Sequence, residues 1–109
     1  MEHGDIAKWV GECLQKSKIV VFSRSTCPYC VKANGILMSE APDDLTIVQL
    51  DDNPNRPSIM EYFKETTGAA TVPRVFIGGK FYGDCSKTAA AHESGELRKI
   101  LEDAGCKLA

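Results

Sequence analysis

Apolar residues recur at Ile6, Trp9, Val10, Cys13 and Leu14, the i, i+3, i+4, i+7, i+8 stripe of an amphipathic helix. The stripe predicts a helix over about residues 5–16, with Asp5 as a candidate N-cap. Lys18-Ile19-Val20-Val21-Phe22-Ser23 follows, a short β-branched run of the kind that forms a buried strand. From Cys27 to about Ser39 the pattern turns helical again, with Pro28 at the first turn and Ala33, Leu37 and Met38 as the expected inner face. Gly35 lowers the propensity of this segment by about 1 kcal/mol relative to alanine, so the helix needs tertiary support.

Leu45-Thr46-Ile47-Val48-Gln49-Leu50 alternates as a second strand, and residues 51–57 form a turn-rich connection. Ile59, Met60 and Phe63 mark a third helix that Gly68 is suited to stop. Pro73-Arg74-Val75-Phe76-Ile77, Gly78-Gly79 and Lys80-Phe81-Tyr82 read as a hairpin about a two-glycine turn. The rest is helical, a short piece from about Ser86 and then Leu97, Ile100, Leu101 and Ala104 with Gly105 as C-cap. The order αβαβαββα calls for a parallel pair joined by a helical crossover, extended by antiparallel strands. A single α/β domain over residues 1–109 is expected.

Composition narrows the function classes. Hydrophobic residues make up 43% of the 109-residue chain and charged residues 26%, an ordinary balance for a water-soluble globular domain. A formal net charge of −2 gives no electrostatic case for a nucleic-acid partner. No apolar run approaches the roughly 20 residues that span a bilayer, so no membrane partner is expected. Met1-Glu2-His3-Gly4-Asp5 resembles neither a secretory signal nor a transit peptide. The five cysteines, at 13, 27, 30, 85 and 106, do not form a disulfide framework. A reducing, cytoplasmic location is expected, where close cysteines are catalytic or metal-binding rather than structural.

Cys27-Pro28-Tyr29-Cys30 lies between a predicted strand and a predicted helix. Residues three apart share a helix face, so the two sulfurs can meet, with Cys27 at the open end more exposed than Cys30. At the helix start, N–H groups without intrahelical partners and the positive end of the dipole favour the thiolate, which is the attacking species. Arg24 adds positive potential three residues upstream. A zinc site lacks a second ligand pair, since Cys85 and His92 stand seven apart and His3 stands alone. No metal is therefore expected.

With Thr26-Cys27-Pro28-Tyr29-Cys30, Thr71-Val72-Pro73, Gly78-Gly79, and Gly83 before Cys85 in this order, the chain resembles the dithiol glutaredoxins from about residue 9 to residue 104. The resemblance implies a thioredoxin-like fold, a four-stranded mixed sheet with helices on both faces. It implies Cys27 as nucleophile and Cys30 as resolving thiol, with glutathione as co-substrate. It makes Pro73 cis and pairs the backbone of Val72, between Thr71 and Pro73, with the peptide backbone of glutathione. It places Cys85 and Ser86 at a helix N-terminus holding the γ-glutamyl carboxylate, a ready anion site. Arg24 and Tyr29 would line the groove for the other end of the tripeptide. Ser86 also suits an N-cap, and Tyr29 also reads as a plain surface residue.

The implied activity is reduction of protein–glutathione mixed disulfides and some protein disulfides, in a monomer serviced by glutathione, glutathione reductase and NADPH. Two rivals remain. Thioredoxins typically carry Trp-Cys-Gly-Pro-Cys, which this chain does not. Some relatives hold a [2Fe–2S] cluster between two protomers and two glutathiones, an arrangement that Pro28 disfavours.

The chain also departs from the family. Asp84 stands where a second glycine is usual, and a carboxylate there is expected to repel an anionic ligand. Lys87 replaces a usual acid and would partly offset it, while Ala69 and Ala70 replace a polar pair that contacts the glycyl carboxylate. Glutathione binding is therefore expected to be weaker or differently distributed than in typical relatives. Cys13, on the apolar stripe with Trp9, is expected in the core, and Cys106 is expected exposed in the tail.

Overall fold

The computed structural model describes residues 2–109, and of His3 the backbone alone. In chain order, the elements are α1 (His3–Leu14), β1 (Ile19–Ser23), α2 (Pro28–Glu40), a 3-10 turn (Pro42–Asp44), β2 (Leu45–Gln49), α3 (Arg56–Thr67), β3 (Arg74–Ile77), β4 (Lys80–Gly83), α4 (Cys85–Ser94) and α5 (Glu96–Asp103). The sheet runs β2-β1-β3-β4, with β1 parallel to β2 and antiparallel to β3, and β3 antiparallel to β4. This is the four-stranded mixed sheet flanked by helices that the resemblance implies, with the parallel pair and antiparallel extension that the element order predicts.

All five residues of β1 are buried, because a central strand faces helices on both sides and alternates between two cores. Ile19 and Val21 join Leu37, Ala41, Val75, Ile77, Ala91, Leu97 and Leu101 beneath α2, α4 and α5. Val20 and Phe22 turn the other way, onto Ile6, Val10, Cys13, Ile59, Phe63 and Phe76 beneath α1 and α3. Phe22, Phe63 and Phe76 meet at ring-centroid distances of 4.9 to 5.9 Å, within the range of favourable aromatic packing. Cys13 is buried here as expected.

Gly78 and Gly79 turn the β3–β4 hairpin with φ of 63° and 79°, the pair of positive values that a two-residue type I′ connection requires. Gly68 ends α3 in the left-handed conformation.

Several expectations need correction. The first helix begins at His3 with Glu2 as N-cap, so Asp5 lies within its first turn, and it ends at Leu14. The Ile6 N–H already bonds the Glu2 carbonyl at 3.0 Å, and the Asp5 charge favours the helix through the dipole instead. Met38 is 53% exposed, because the inner face of α2 runs through Cys30, Ala33 and Leu37. The C-cap of α5 is Ala104, and Gly105 follows it with φ of 85°.

Cys106 is buried rather than exposed. The tail folds back: the Lys107 N–H donates to the Asp44 carboxylate at 2.6 Å and the Ala109 N–H to the Glu40 carbonyl at 2.8 Å. This places the Cys106 thiol in the core with Leu97 and Leu101, where burial pushes its pKa up.

Candidate active site

The site forms where β1 ends and α2 begins. Cys27 is the N-cap of α2, in extended geometry with φ −87° and ψ 118°, and Pro28 occupies the first helical turn, where its missing N–H costs no hydrogen bond. Cys30, one turn in, is fully buried, whereas Cys27 is partly exposed. The buried sulfur of Cys30 accepts from the Arg24 N–H at 3.4 Å, and Asn34 Nδ2 donates to Ser23 Oγ at 3.1 Å beside it.

The two thiols differ electrostatically for physical reasons. Burial pushes the Cys27 thiol up, but it is outweighed by the Cys30 N–H, the Cys30 thiol, the Tyr29 N–H and the Arg24 charge, so the net shift is downward. Burial dominates at Cys30, and with the neighbouring Cys27 sulfur it raises that thiol above its ordinary value despite hydrogen bonds from Arg24 N–H and Ser23. The exposed sulfur is therefore the readier thiolate, as the helix-start position predicts.

Across from Cys27 runs the segment before β3. The Val72–Pro73 peptide bond is cis, and the Cys27 thiol lies 3.9 Å from the Val72 carbonyl oxygen. A pocket of about 280 Å³ opens there, lined by Tyr29, Thr71, Val72, Pro73, Asp84, Cys85 and Ser86. Every residue that the sequence proposed for glutathione lines it except Arg24, which is exposed on the Cys27 loop. Tyr29 is 68% exposed at its edge.

Ser86 is not the N-cap of α4. Asp84 is, and its carboxylate accepts from the Lys87 N–H at 2.9 Å. The strand runs one residue past the expected Tyr82, to Gly83, so the extended residue that precedes the helix is Asp84.

Two supports escaped the sequence. The Asp51 carboxylate accepts from the Ser25 N–H at 3.0 Å and from Ser25 Oγ at 2.7 Å, tying the Cys27 loop to the β2–α3 connection. These bonds hold the Asp51 carboxyl below its ordinary value. Arg74, on β3, is only 4% exposed. Its guanidinium donates to Thr71 Oγ1 at 3.0 Å and to Thr67 Oγ1 at 3.3 Å and lies 5.1 Å from the Phe81 ring centroid. Burial lowers its pKa, and its Nε has no hydrogen-bond partner. Nothing local distinguishes Asp51 from other turn acids, whereas the position of Arg74 next to Thr71-Val72-Pro73 was a readable signal.

Among the described residues, no group of three or more His, Cys, Asp or Glu side chains is placed to hold a metal ion. No helix among them is long and apolar enough to cross a membrane.

A CxxC pair at a helix start, set against a cis-proline segment on a four-stranded mixed sheet, defines a protein of the thioredoxin-like class. The Glutaredoxin family profile matches residues 19–82. The chain is 41% identical over 103 residues to Glutaredoxin-C4 of Arabidopsis thaliana, covering 93% of this chain and 74% of that protein. Its fold superposes on oxidized glutaredoxin 2 from Chlamydomonas reinhardtii with a TM-score of 0.88 at 35% identity, covering 96% and 98% of the two chains. A buckwheat glutaredoxin–glutathione complex superposes with a TM-score of 0.84 at 26% identity, covering 95% and 94%. The chain belongs to the glutaredoxin family, whose members are thiol oxidoreductases.

Proposed function

We propose that this protein is a glutathione-dependent thiol–disulfide oxidoreductase that removes glutathione from protein mixed disulfides and reduces some protein disulfides, acting as a monomer in the cytoplasm. The observation that carries the reading is the Cys27 thiol, lowered in pKa at the start of α2 and 3.9 Å from the Val72 carbonyl at the rim of a tripeptide-sized pocket. The glutathione bound to the buckwheat relative supports the choice of ligand.

In the first step, the Cys27 thiolate attacks the glutathionyl sulfur of the mixed disulfide. The target protein's sulfur leaves with the bonding pair and takes a proton, and Cys27 now carries glutathione. In the second step, the thiolate of another glutathione attacks that glutathionyl sulfur, oxidised glutathione departs, and Cys27 returns as thiolate. An NADPH-linked glutathione reductase recycles the product. Tripeptide pairing along Val72, flanked by Thr71 and Pro73, with its γ-glutamyl end at Cys85 and Ser86 and its other end near Arg24 and Tyr29, aligns the sulfurs, so positioning supplies much of the acceleration. The low pKa of Cys27 makes it a good leaving group in the second step. In the dithiol route, the Cys27 thiolate attacks a protein disulfide and one substrate sulfur leaves as thiolate; Cys30 then attacks the Cys27 sulfur of that mixed disulfide, the Cys27–Cys30 disulfide forms, and the second substrate sulfur leaves and takes a proton.

The test is NADPH consumption with glutathione, glutathione reductase and a small mixed-disulfide substrate. Cys27→Ser is expected to abolish turnover, and Cys30→Ser to retain it while losing reduction of protein disulfides. Retained glutathione-dependent turnover in Cys27→Ser overturns the scheme.

A further inference from the structure

The residues of β1 alternate between two cores, and Ser23 falls on the same side as Ile19 and Val21, beneath α2. It is fully buried. A hydroxyl at a core position loses its water and must find partners within the protein. Its partners sit on α2, where Cys30 and Asn34 stand four residues apart and share one face. Asn34 Nδ2 donates to Ser23 Oγ at 3.1 Å, and the Ser23 side chain hydrogen-bonds the Cys30 thiol. The Arg24 N–H reaches the same sulfur at 3.4 Å.

The direction of these bonds follows from the hydrogens available. A serine hydroxyl carries one hydrogen and two acceptor lone pairs. The Asn34 amide occupies a lone pair, so the hydrogen is left for the Cys30 sulfur. Asn34 Oδ1 is buried and takes no hydrogen bond, so it does not compete for that hydrogen. Two donors thus converge on a sulfur with no exposed surface. Cys27, beside it, is the titratable group that acts on Cys30. The Asp51 carboxylate is bonded to Ser25, and β2 sets uncharged Gln49 beside Ser23. The buried residues of α4, which packs on α2, are Cys85, Thr88, Ala89 and Ala91. A thiolate at Cys30 therefore rests on its hydrogen bonds, because burial and the neighbouring sulfur both oppose it.

We propose that Ser23 is a positioning residue for the resolving step: held by Asn34, its hydroxyl hydrogen points at the Cys30 sulfur and stabilises it as it becomes the attacking thiolate. In that step Cys30 gives up its proton to solvent and attacks the Cys27 sulfur of a mixed disulfide. The Cys27–Cys30 bond forms, and the departing sulfur leaves with the bonding pair and takes a proton. This role rests on the glutathione reading above, and it biases the protein toward the two-thiol route from outside the Cys27-Pro28-Tyr29-Cys30 segment.

The test loads Cys27 with glutathione from oxidised glutathione in mildly acidic buffer, then raises the pH in steps. Closure of the Cys27–Cys30 disulfide is followed by the loss of the glutathionyl mass from acid-quenched protein. Loss of a donor lowers the thiolate population at Cys30 but leaves the remaining thiolate more nucleophilic, which recovers part of the rate. Ser23→Ala is expected to close about threefold more slowly near neutrality for each tenfold fall in thiolate. The midpoint of its pH profile is expected to move up by about one pH unit, with no deficit in alkaline solution. Asn34→Ala is expected to move the midpoint the same way by less. Glutathione-dependent turnover of a mixed-disulfide substrate bypasses Cys30 and is expected to fall far less than closure, which separates this role from a merely structural one. A midpoint unmoved in Ser23→Ala overturns the inference. So does an equal loss in closure and in turnover, or a wild-type adduct that forms and never closes. An adduct that fails to form in the wild type removes the glutathione reading beneath it instead.

Discussion

Two cysteines three residues apart differ in chemistry because their surroundings differ. Cys27 at the open end of α2 collects N–H groups, the Cys30 thiol and the Arg24 charge, while Cys30 is enclosed beneath it and loses more from burial than it gains. The consequence is a pH dependence with a definite sign. A thiol with lowered pKa reaches its full thiolate population at lower pH, so alkylation of Cys27 by iodoacetamide is expected to level off at lower pH than alkylation of a free thiol. Arg24→Gln removes an attractive charge and is expected to move the midpoint upward. The variant then reacts more slowly near neutrality and equals the wild type in alkaline solution. Superimposable pH–rate profiles would show that Cys27 does not feel the Arg24 charge. At this scale the nucleophile was legible, since the Cys27-Pro28-Tyr29-Cys30 spacing and its place after a strand carry the argument. The supports were not. Asp51 reaches Ser25 from 26 residues away, and no local pattern encodes such a bond.

Element boundaries obey rules that a short window reads incompletely. Both Asp84 and Ser86 are good N-cap residues, and Asp84 prevails because β4 runs to Gly83 and leaves Asp84 extended at φ −103° and ψ −168°. Two glycines show how position decides the effect of one residue type. Gly35 sits inside α2 on an exposed face, and an added Cβ would meet nothing within 4 Å. Gly95 joins α4 to α5 with φ of 84°, a conformation unfavourable for a residue with a Cβ. Gly35→Ala is therefore expected to stabilise the fold by about 0.5–1 kcal/mol, and Gly95→Ala to destabilise it by about 1–2 kcal/mol. Urea unfolding of the two variants checks both signs. The glycine cost in α2 was readable from the sequence, but the left-handed joint at Gly95 follows from how α4 and α5 pack and was not.

The whole molecule is organised by β1, whose alternate residues feed two separate cores. On the α1–α3 side, Phe22, Phe63 and Phe76 form one aromatic cluster, with Phe22 and Phe63 fully buried. Phe63→Ala is expected to cost about 3–5 kcal/mol, the usual range for emptying a buried aromatic site. A lowered melting temperature measures it, and a loss under 1 kcal/mol would mean that the cluster collapses to fill the space. On the opposite side the chain end closes the core. Cys106 is buried because Asp44 and Glu40, far earlier in the chain, hold the backbone of Lys107 and Ala109. A tail of mixed residues without periodicity gives no sign of such anchoring, which explains the mistaken expectation of an exposed thiol.

Residue order alone determined the strands, the long helices, the hairpin at Gly78-Gly79, the mixed sheet and the CxxC pair at a helix start. Each rests on contacts within a few residues or on periodic burial, and both are written directly into the chain. Tertiary structure decided the rest: the inward turn of Cys106, the outward turn of Met38, the burial of Arg74 behind Thr71, the anchoring of the Cys27 loop by Asp51 and the gathering of Val72 and Asp84 into one pocket. Those features depend on which distant segments come to lie side by side, and packing settles that only once the whole sheet has closed.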